Sequence, residues 1–276
     1  MKIANILWKG NPVPLLVEGD RFYPFEVGWE EVLELERHPL KASIRALPID
    51  NLEEIKWLPV VPKPSKIIAI GLNYMDHIDE SRGERPKNPI IFAKYPNSLI
   101  GHKDFITWDK GITKKVDYEA ELVVVIGRKA KNVSIREAPS FVLGYSCAND
   151  VSARDLQFGD GQWVRGKSLD TFCPVGPFLV TKDEIPDPHE LSIKSVLNGR
   201  VMQDSNTSHM IFGVWDLVSF LSRHMTLLPG DLILTGTPSG VGAFRDPPVY
   251  LKDGDEVVVS IEKVGDLINY CKESGG

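Results

Sequence analysis

Apolar residues along this chain fall mostly into short runs of four to seven, closed off by Gly, Pro, Asn or Asp. From Lys66 onward the runs KIIAIG, PIIFAK, LVVVIG, FVLGYSC, GPFLVT, LSIKSVL, DLILTG and EVVVSIE follow one another. Runs of that length with β-branched residues and turn signals at both ends predict strands. Asn198-Gly199, between SIKSVL and RVMQ, predicts a type I′ hairpin turn. Helical patterns are few: Ile135–Phe141, Ser152–Phe158 and the amphipathic Ile211–His224. Strands that do not alternate regularly with helices argue against a doubly wound or TIM-like sheet. The pattern predicts an α+β, β-rich chain, mixed and mainly antiparallel, with a few covering helices.

The first 60 residues read differently. Residues 2–8, 13–18 and 21–26 predict short strands separated by Gly10-Asn11-Pro12 and Glu18-Gly19-Asp20, and a helix is expected from Trp29 to Arg37. The segment WLPVVPKPSK, 57–66, carries Pro59, Pro62 and Pro64, which fix φ and stiffen a connector. This divides the chain into a small N-terminal α+β unit, 1–60, and a larger domain, 61–276.

Composition narrows the partners. The 276 residues are 42% hydrophobic and 25% charged, ordinary for a soluble globular protein. A net charge of −6 argues against nucleic acid or an anionic membrane as the main partner. Cys147, Cys173 and Cys271 are scattered and form no C-x-x-C pair, against a disulfide framework or a cysteine zinc site. No apolar stretch suits a signal peptide or a membrane span, so a cytoplasmic protein is expected.

The chemistry concentrates in four stretches. KKVDYEAELVVVIG, 114–127, spaces Asp117, Glu119 and Glu121 by two, which in a strand turns all three to one face. Like charges entering a core repel and lose hydration, so solvent, a lysine or a hard divalent cation must offset them. Asp150 in CANDVSARDLQ is either a further oxygen ligand or the N-cap of the Ser152–Phe158 helix. In GLNYMDHIDESRGERPKN, 71–88, His77 and Glu80 lie either in a solvated loop with an incidental acid or, if the segment is helical, on one face as a general-base pair. The polar residues that follow have the composition of a lid. Lys167, between Gly166 and Ser168, could reach an anionic substrate or lie free in a loop. LTGTPSGVG, 234–242, could offer backbone N–H groups to an anion but lacks a P-loop ending.

In this order, GLNYMDHIDE, DYEAELVVVIG, GYSCANDVSARDLQ, GKSLDTFCPVGP and LTGTPSGVG resemble the fumarylacetoacetate hydrolase family across most of residues 66–265. The resemblance implies a β-roll or barrel-like catalytic domain and a homodimer. It implies Mg²⁺ or Mn²⁺ on Glu119, Glu121 and Asp150, with His77, Glu80 and Lys167 catalytic and Arg154, Gln157 and Thr237 contacting substrate. Asp117 has no implied ligand role; an outer or lysine-paired position is expected. The implied reaction is cleavage of a C–C bond in a small 2-oxo acid such as an acylpyruvate, with water activated by the His-Glu pair. The alternatives are isomerisation of a hydroxymuconate or hydroxyheptadienedioate, or decarboxylation of oxaloacetate. A non-catalytic metal-binding protein is a distant third.

Overall fold

The computed structural model describes residues 1–33, 55–81 and 83–275. Its larger sheet runs in the order Arg21–Pro24, Asn11–Glu18, Lys2–Trp8, Cys173–Thr181, Val142–Asn149, Ala120–Ile126, Leu232–Leu234, Ile67–Gly71 and Ile90–Lys94. Most pairs are antiparallel, while Leu232–Leu234 and Ile67–Gly71 are parallel. A second sheet orders Arg200–Asn206, Ser192–Leu197, Glu256–Ile261, Gly265–Ser274 and Phe105–Asp109. The first two of these strands meet at Asn198 and Gly199, both at positive φ as a type I′ turn requires. The strands at 105–109 and 265–274 carry weaker apolar patterns, and their pairing is parallel and far apart in sequence.

The fold is β-rich and mixed, as the sequence implies, but among the described residues no closed barrel forms. The large sheet keeps two ends, Arg21–Pro24 and Ile90–Lys94. Pro24 lacks the N–H that a further ladder would need. The N-terminal strands continue the large sheet, because Lys2–Trp8 pairs with Cys173–Thr181 through Lys2 opposite Val180.

The unbroken run at Leu122–Ile126 has a structural reason. Leu122, Val124 and Ile126 face a core shared with the second sheet's Ile193, Val259 and Leu267, whereas Val123 and Val125 face Val60, Val61 and Val32. A strand buried on both faces has no place for polar alternation. The first core is covered by helix Val214–His224, which contributes Leu217, Val218 and Leu221. That helix starts later than the sequence pattern suggests, because Gly213 is its N-cap and its N–H donates to Asp216 Oδ2 at 3.1 Å.

The other helices depart from the pattern in different ways. Trp29–Leu33 is helical, and the predicted continuation to Arg37 lies outside the described residues. Only Ala138–Phe141 of the segment expected from Ile135 is helical, as a 3₁₀ turn. Ser152–Ala153 instead pairs with Val116–Asp117, so that helix begins at Arg154. All three cysteines are buried and free. Among the described residues no helix is long and apolar enough to cross a membrane.

Candidate active site

The ladder pairing brings one end of four central strands together. Ala120 opens its strand opposite Asn149, which closes its own, and Leu234 and Gly71 end the two parallel neighbours. Glu119, Glu121 and Asp150 therefore meet at this end, each offering an oxygen, with those oxygens within 4.8 Å of one another and all three residues buried. Asp150 is not a helix cap: Ala153 holds that position, and Asp150 N–H instead donates to Glu119 O at 2.9 Å.

The question of what relieves the like charges has a mixed answer. Lys167 Nζ lies 2.8 Å from Glu119 Oε2 and 2.7 Å from Asp150 Oδ2, and Lys94 Nζ lies 2.5 Å from Asp150 Oδ1. Arg154 Nη1 lies 2.7 Å from Glu119 Oε1. Burial raises the Glu119 carboxyl, but the charges of Lys167 and Arg154 outweigh it and hold the group at about 2. Glu121 has no such partner. Its Oε2 accepts from Gly236 N–H at 2.8 Å, and its Oε1 is buried with no donor. Burial, then the charges of Asp150 and Glu119, push its carboxyl well above the usual range. Three hard oxygen donors with one orphaned oxygen fit a divalent cation of the Mg²⁺ or Ca²⁺ type better than a soft one.

Lys167 sits on the short helix Trp163–Lys167. Gly166 lets that helix press on the start of Arg154–Asp160, since a Cβ there would lie 2.8 Å from Ala153 O and from Gln157 N. Burial lowers the Lys167 proton affinity, but Asp150 and Glu119 reverse the shift and raise it. A Schiff-base lysine needs the opposite shift. Arg154 Nε binds Asp117 Oδ2 at 2.8 Å, its Nη1 donates to Gln157 Oε1 at 2.9 Å, and its Nη2 is buried without a partner.

Asp117 leaves the ladder. The strand breaks at Tyr118 and Glu119, so Val116–Asp117 pairs with Ser152–Ala153 and Asp117 turns away from the triad. Its partner is Arg154, an arginine rather than a lysine. It also accepts from Gly242 N–H at 2.8 Å and Ala243 N–H at 3.0 Å.

His77 and Glu80 lie on helix Met75–Ser81, with Nδ1 3.3 Å from Glu80 Oε2. Glu80 also accepts from Gly240 N–H at 3.0 Å. A carboxylate at Nδ1 selects the Nδ1–H tautomer and leaves Nε2 as the free base. Three N–H groups of the Gly-rich loop and that of the next residue are thus spent on the protein's own acids: Gly236 on Glu121, Gly240 on Glu80, Gly242 and Ala243 on Asp117. Within that loop Thr237 Oγ1 accepts from Gln203 Nε2 at 2.7 Å.

A cavity of about 80 Å³ opens beside the triad, lined by His77, Glu119, Arg154, Gln157, Lys167 and Thr237. Glu80 bonds His77, Asp150 bonds Lys167 and Glu121 brings an oxygen within 4.8 Å of those of Glu119 and Asp150, so the nine residues given a metal, catalytic or substrate role from the sequence converge on one place. Lys94 and Gln203 were not among them. Lys94 closes the apolar run PIIFAK, where a lysine 1% exposed is unusual, and it also donates to the carbonyl oxygens of Lys167 and Val151. Gln203 accepts from Ala120 N–H, between the two glutamates, at 2.9 Å while it holds Thr237 and Pro238 O. No local pattern marks it.

Residues 66–271 match the family model described as fumarylacetoacetate (FAA) hydrolase C-terminal. The rat "Oxaloacetate tautomerase Fahd2a, mitochondrial" is 48% identical over 241 residues, covering 87% of this chain and 76% of that protein. The fumarylacetoacetate hydrolase of Exiguobacterium antarcticum superposes with a TM-score of 0.90 at 35% identity, covering 99% of this chain and 100% of the other. The 5-carboxymethyl-2-hydroxymuconate delta-isomerase of Mycobacterium smegmatis superposes with a TM-score of 0.83 at 36% identity, covering 100% of both chains. The rat relative is mitochondrial by name. The tautomerase and isomerase names lie nearer the isomerase alternative than the C–C cleavage expected first.

Proposed function

This chain belongs to the fumarylacetoacetate hydrolase family and is an enzyme, and on that premise we propose that it interconverts the keto and enol forms of a small 2-oxo dicarboxylate of the oxaloacetate class. The observation that carries this reading is the cavity in which a His-Glu base, two cationic side chains and a buried carboxylate triad meet. In tautomerisation the C3–H bond breaks, its electron pair forms the C2=C3 bond, and the 2-oxo oxygen gains a proton. His77 Nε2 is the acceptor for the C3 proton, held to that role by Glu80 at Nδ1. Lys167, kept protonated by its carboxylate neighbours, opposes the negative charge that develops on the oxygen. The unpartnered Nη2 of Arg154, with Gln157 and Thr237, receives the carboxylates of the substrate. A divalent cation such as Mg²⁺ or Mn²⁺, held by Glu119, Glu121 and Asp150, supplies Lewis-acid polarisation of the 2-oxo group when bound.

The test follows the ultraviolet absorbance of enol-oxaloacetate as it relaxes to the keto form, with Mg²⁺ and with chelator, while pyruvate release is measured in parallel. Acceleration without pyruvate supports the proposal; pyruvate without acceleration replaces it with decarboxylation. Hydrolysis is the second reading, favoured by the same His77–Glu80 pair, which could equally deprotonate water. Cleavage of an acylpyruvate by the unaltered protein would favour it. We also propose a homodimer, supported by family membership; sedimentation at micromolar concentration should give twice the chain mass of 30.8 kDa, and a monomer mass would remove it.

A further inference from the structure

The cavity beside the triad is small because aromatic rings wall it. Trp163 opens the helix that Lys167 closes, and their four-residue spacing puts both on one face. Phe92 lies against both. Lys167 Nζ is 5.2 Å from the centroid of its ring, and the Trp163 ring meets it edge-on with centroids 5.3 Å apart at 71°. Strand Ile67–Gly71 closes on the indole from another side. A Cβ on Gly71 would lie 2.2 Å from Trp163 Cζ3 and 2.7 Å from Cη2, far inside ordinary contact. Gly71 is not at positive φ, so this glycine serves close approach rather than an unusual backbone. Glycine weakens a strand end, which makes room for the ring the physical reason to find it here.

Gly71, Phe92 and Trp163 line the same cavity as His77, Arg154 and Lys167. We infer that Trp163 is the size-limiting wall of the substrate cavity, confining the distal end of a 2-oxo acid to a group about as large as a carboxylate. The choice of ligand class rests on the tautomerase reading. A longer or branched acid has to displace the indole, which Phe92 and the strand at Gly71 hold in place. Each extra methylene that a hydrophobic wall rejects is worth about 10-fold to 200-fold in discrimination.

The test compares the unaltered protein with Trp163→Phe, Trp163→Leu and Trp163→Ala, measuring calorimetric binding of oxalate and of 2-oxoadipate in the presence of Mg²⁺. The unaltered protein should bind 2-oxoadipate at least about tenfold more weakly than oxalate, and the gap should close stepwise as the side chain shrinks. Gly71→Ala should lower the melting temperature, and adding Trp163→Ala should recover most of that loss because the clashing ring is gone. An unchanged ratio across the series, or a Gly71→Ala protein as stable as the parent, overturns the wall. If one member fails to fold, the remaining members carry the comparison. Because binding and not turnover is measured, the ratio decides the wall even in a protein that does not tautomerise oxaloacetate. Tautomerisation with an unchanged ratio removes the wall and leaves the reaction.

Discussion

Replacing Glu121 by Gln should stabilise the metal-free protein and sharply reduce its stabilisation by Mg²⁺. Glu121 is 1% exposed, its Oε2 takes one backbone N–H, and its Oε1 faces no donor. Its carboxyl is raised well above 4.5 by burial and then by Asp150 and Glu119. A group raised in the folded state binds a proton that the unfolded chain releases. Stability therefore falls as pH climbs from 4.5 toward the folded value, by about 1.4 kcal/mol per pH unit, and levels off beyond it. Gln keeps the shape and the acceptor for Gly236, and its amide N–H₂ can donate to the neighbouring carboxylates. In chelator at pH 8 the variant should exceed the parent by about 1–3 kcal/mol, the usual penalty of an unsatisfied buried group. Magnesium at a hundred times its dissociation constant adds about 3 kcal/mol to the parent. The variant, with one anionic donor fewer, should gain far less, so the parent closes the gap. Urea midpoints at pH 5, 6.5 and 8, in chelator and in Mg²⁺, measure all of this. A variant less stable than the parent in chelator at pH 8, or one with an equal Mg²⁺ gain, would refute the reasoning.

Glu119 should show the opposite sign: its carboxyl is held at about 2 against an ordinary 4.5, so it contributes roughly 3 kcal/mol above pH 4.5 that disappears as pH falls toward 2. Glu119→Gln in metal-free protein should flatten that limb of the urea-midpoint profile, and an unchanged limb would contradict it. Lys94→Met removes the 2.5 Å partner of Asp150 Oδ1 from a fully buried pair and should cost about 3–5 kcal/mol in urea unfolding; a loss below about 1 kcal/mol would show that Lys167 alone satisfies Asp150. Glu80→Gln should slow deuterium exchange at substrate C3 by about 10²–10⁴ while Mg²⁺ affinity holds, since Glu80 acts through His77; equal exchange rates would remove it from the proton path.

Much of this architecture is local and was therefore readable in order along the chain. Short apolar runs bounded by turn residues mark eight strands, because burial and turn chemistry act over a few neighbours. Asn198-Gly199 is the clearest case, since its positive φ values belong to the dipeptide itself. His77 and Glu80 are likewise three apart on one helix. Alternation at 117, 119 and 121 was informative only in part. It placed Glu119 and Glu121 together, but it assumed a continuous strand, and the break at Tyr118 turned Asp117 toward Arg154.

By itself, then, the sequence determined that the strongly apolar runs are strands, which acids stand at their ends and which base pair shares a helix, all consequences of neighbours within a few residues. Only the tertiary structure decided what those acids meet. Lys94 reaches Asp150 across 56 positions, Gln203 joins Ala120 to Thr237 across 83 and 34, and Gly71 makes way for Trp163. It also decided that the Gly-rich loop gives its N–H groups to Glu121, Glu80 and Asp117. None of these contacts has a periodicity, because each is made by elements that approach only when two sheets and their covering helices pack. Closure was not legible for the same reason: among the described residues the large sheet keeps two ends, and a strand's own residues do not specify which distant strand comes alongside.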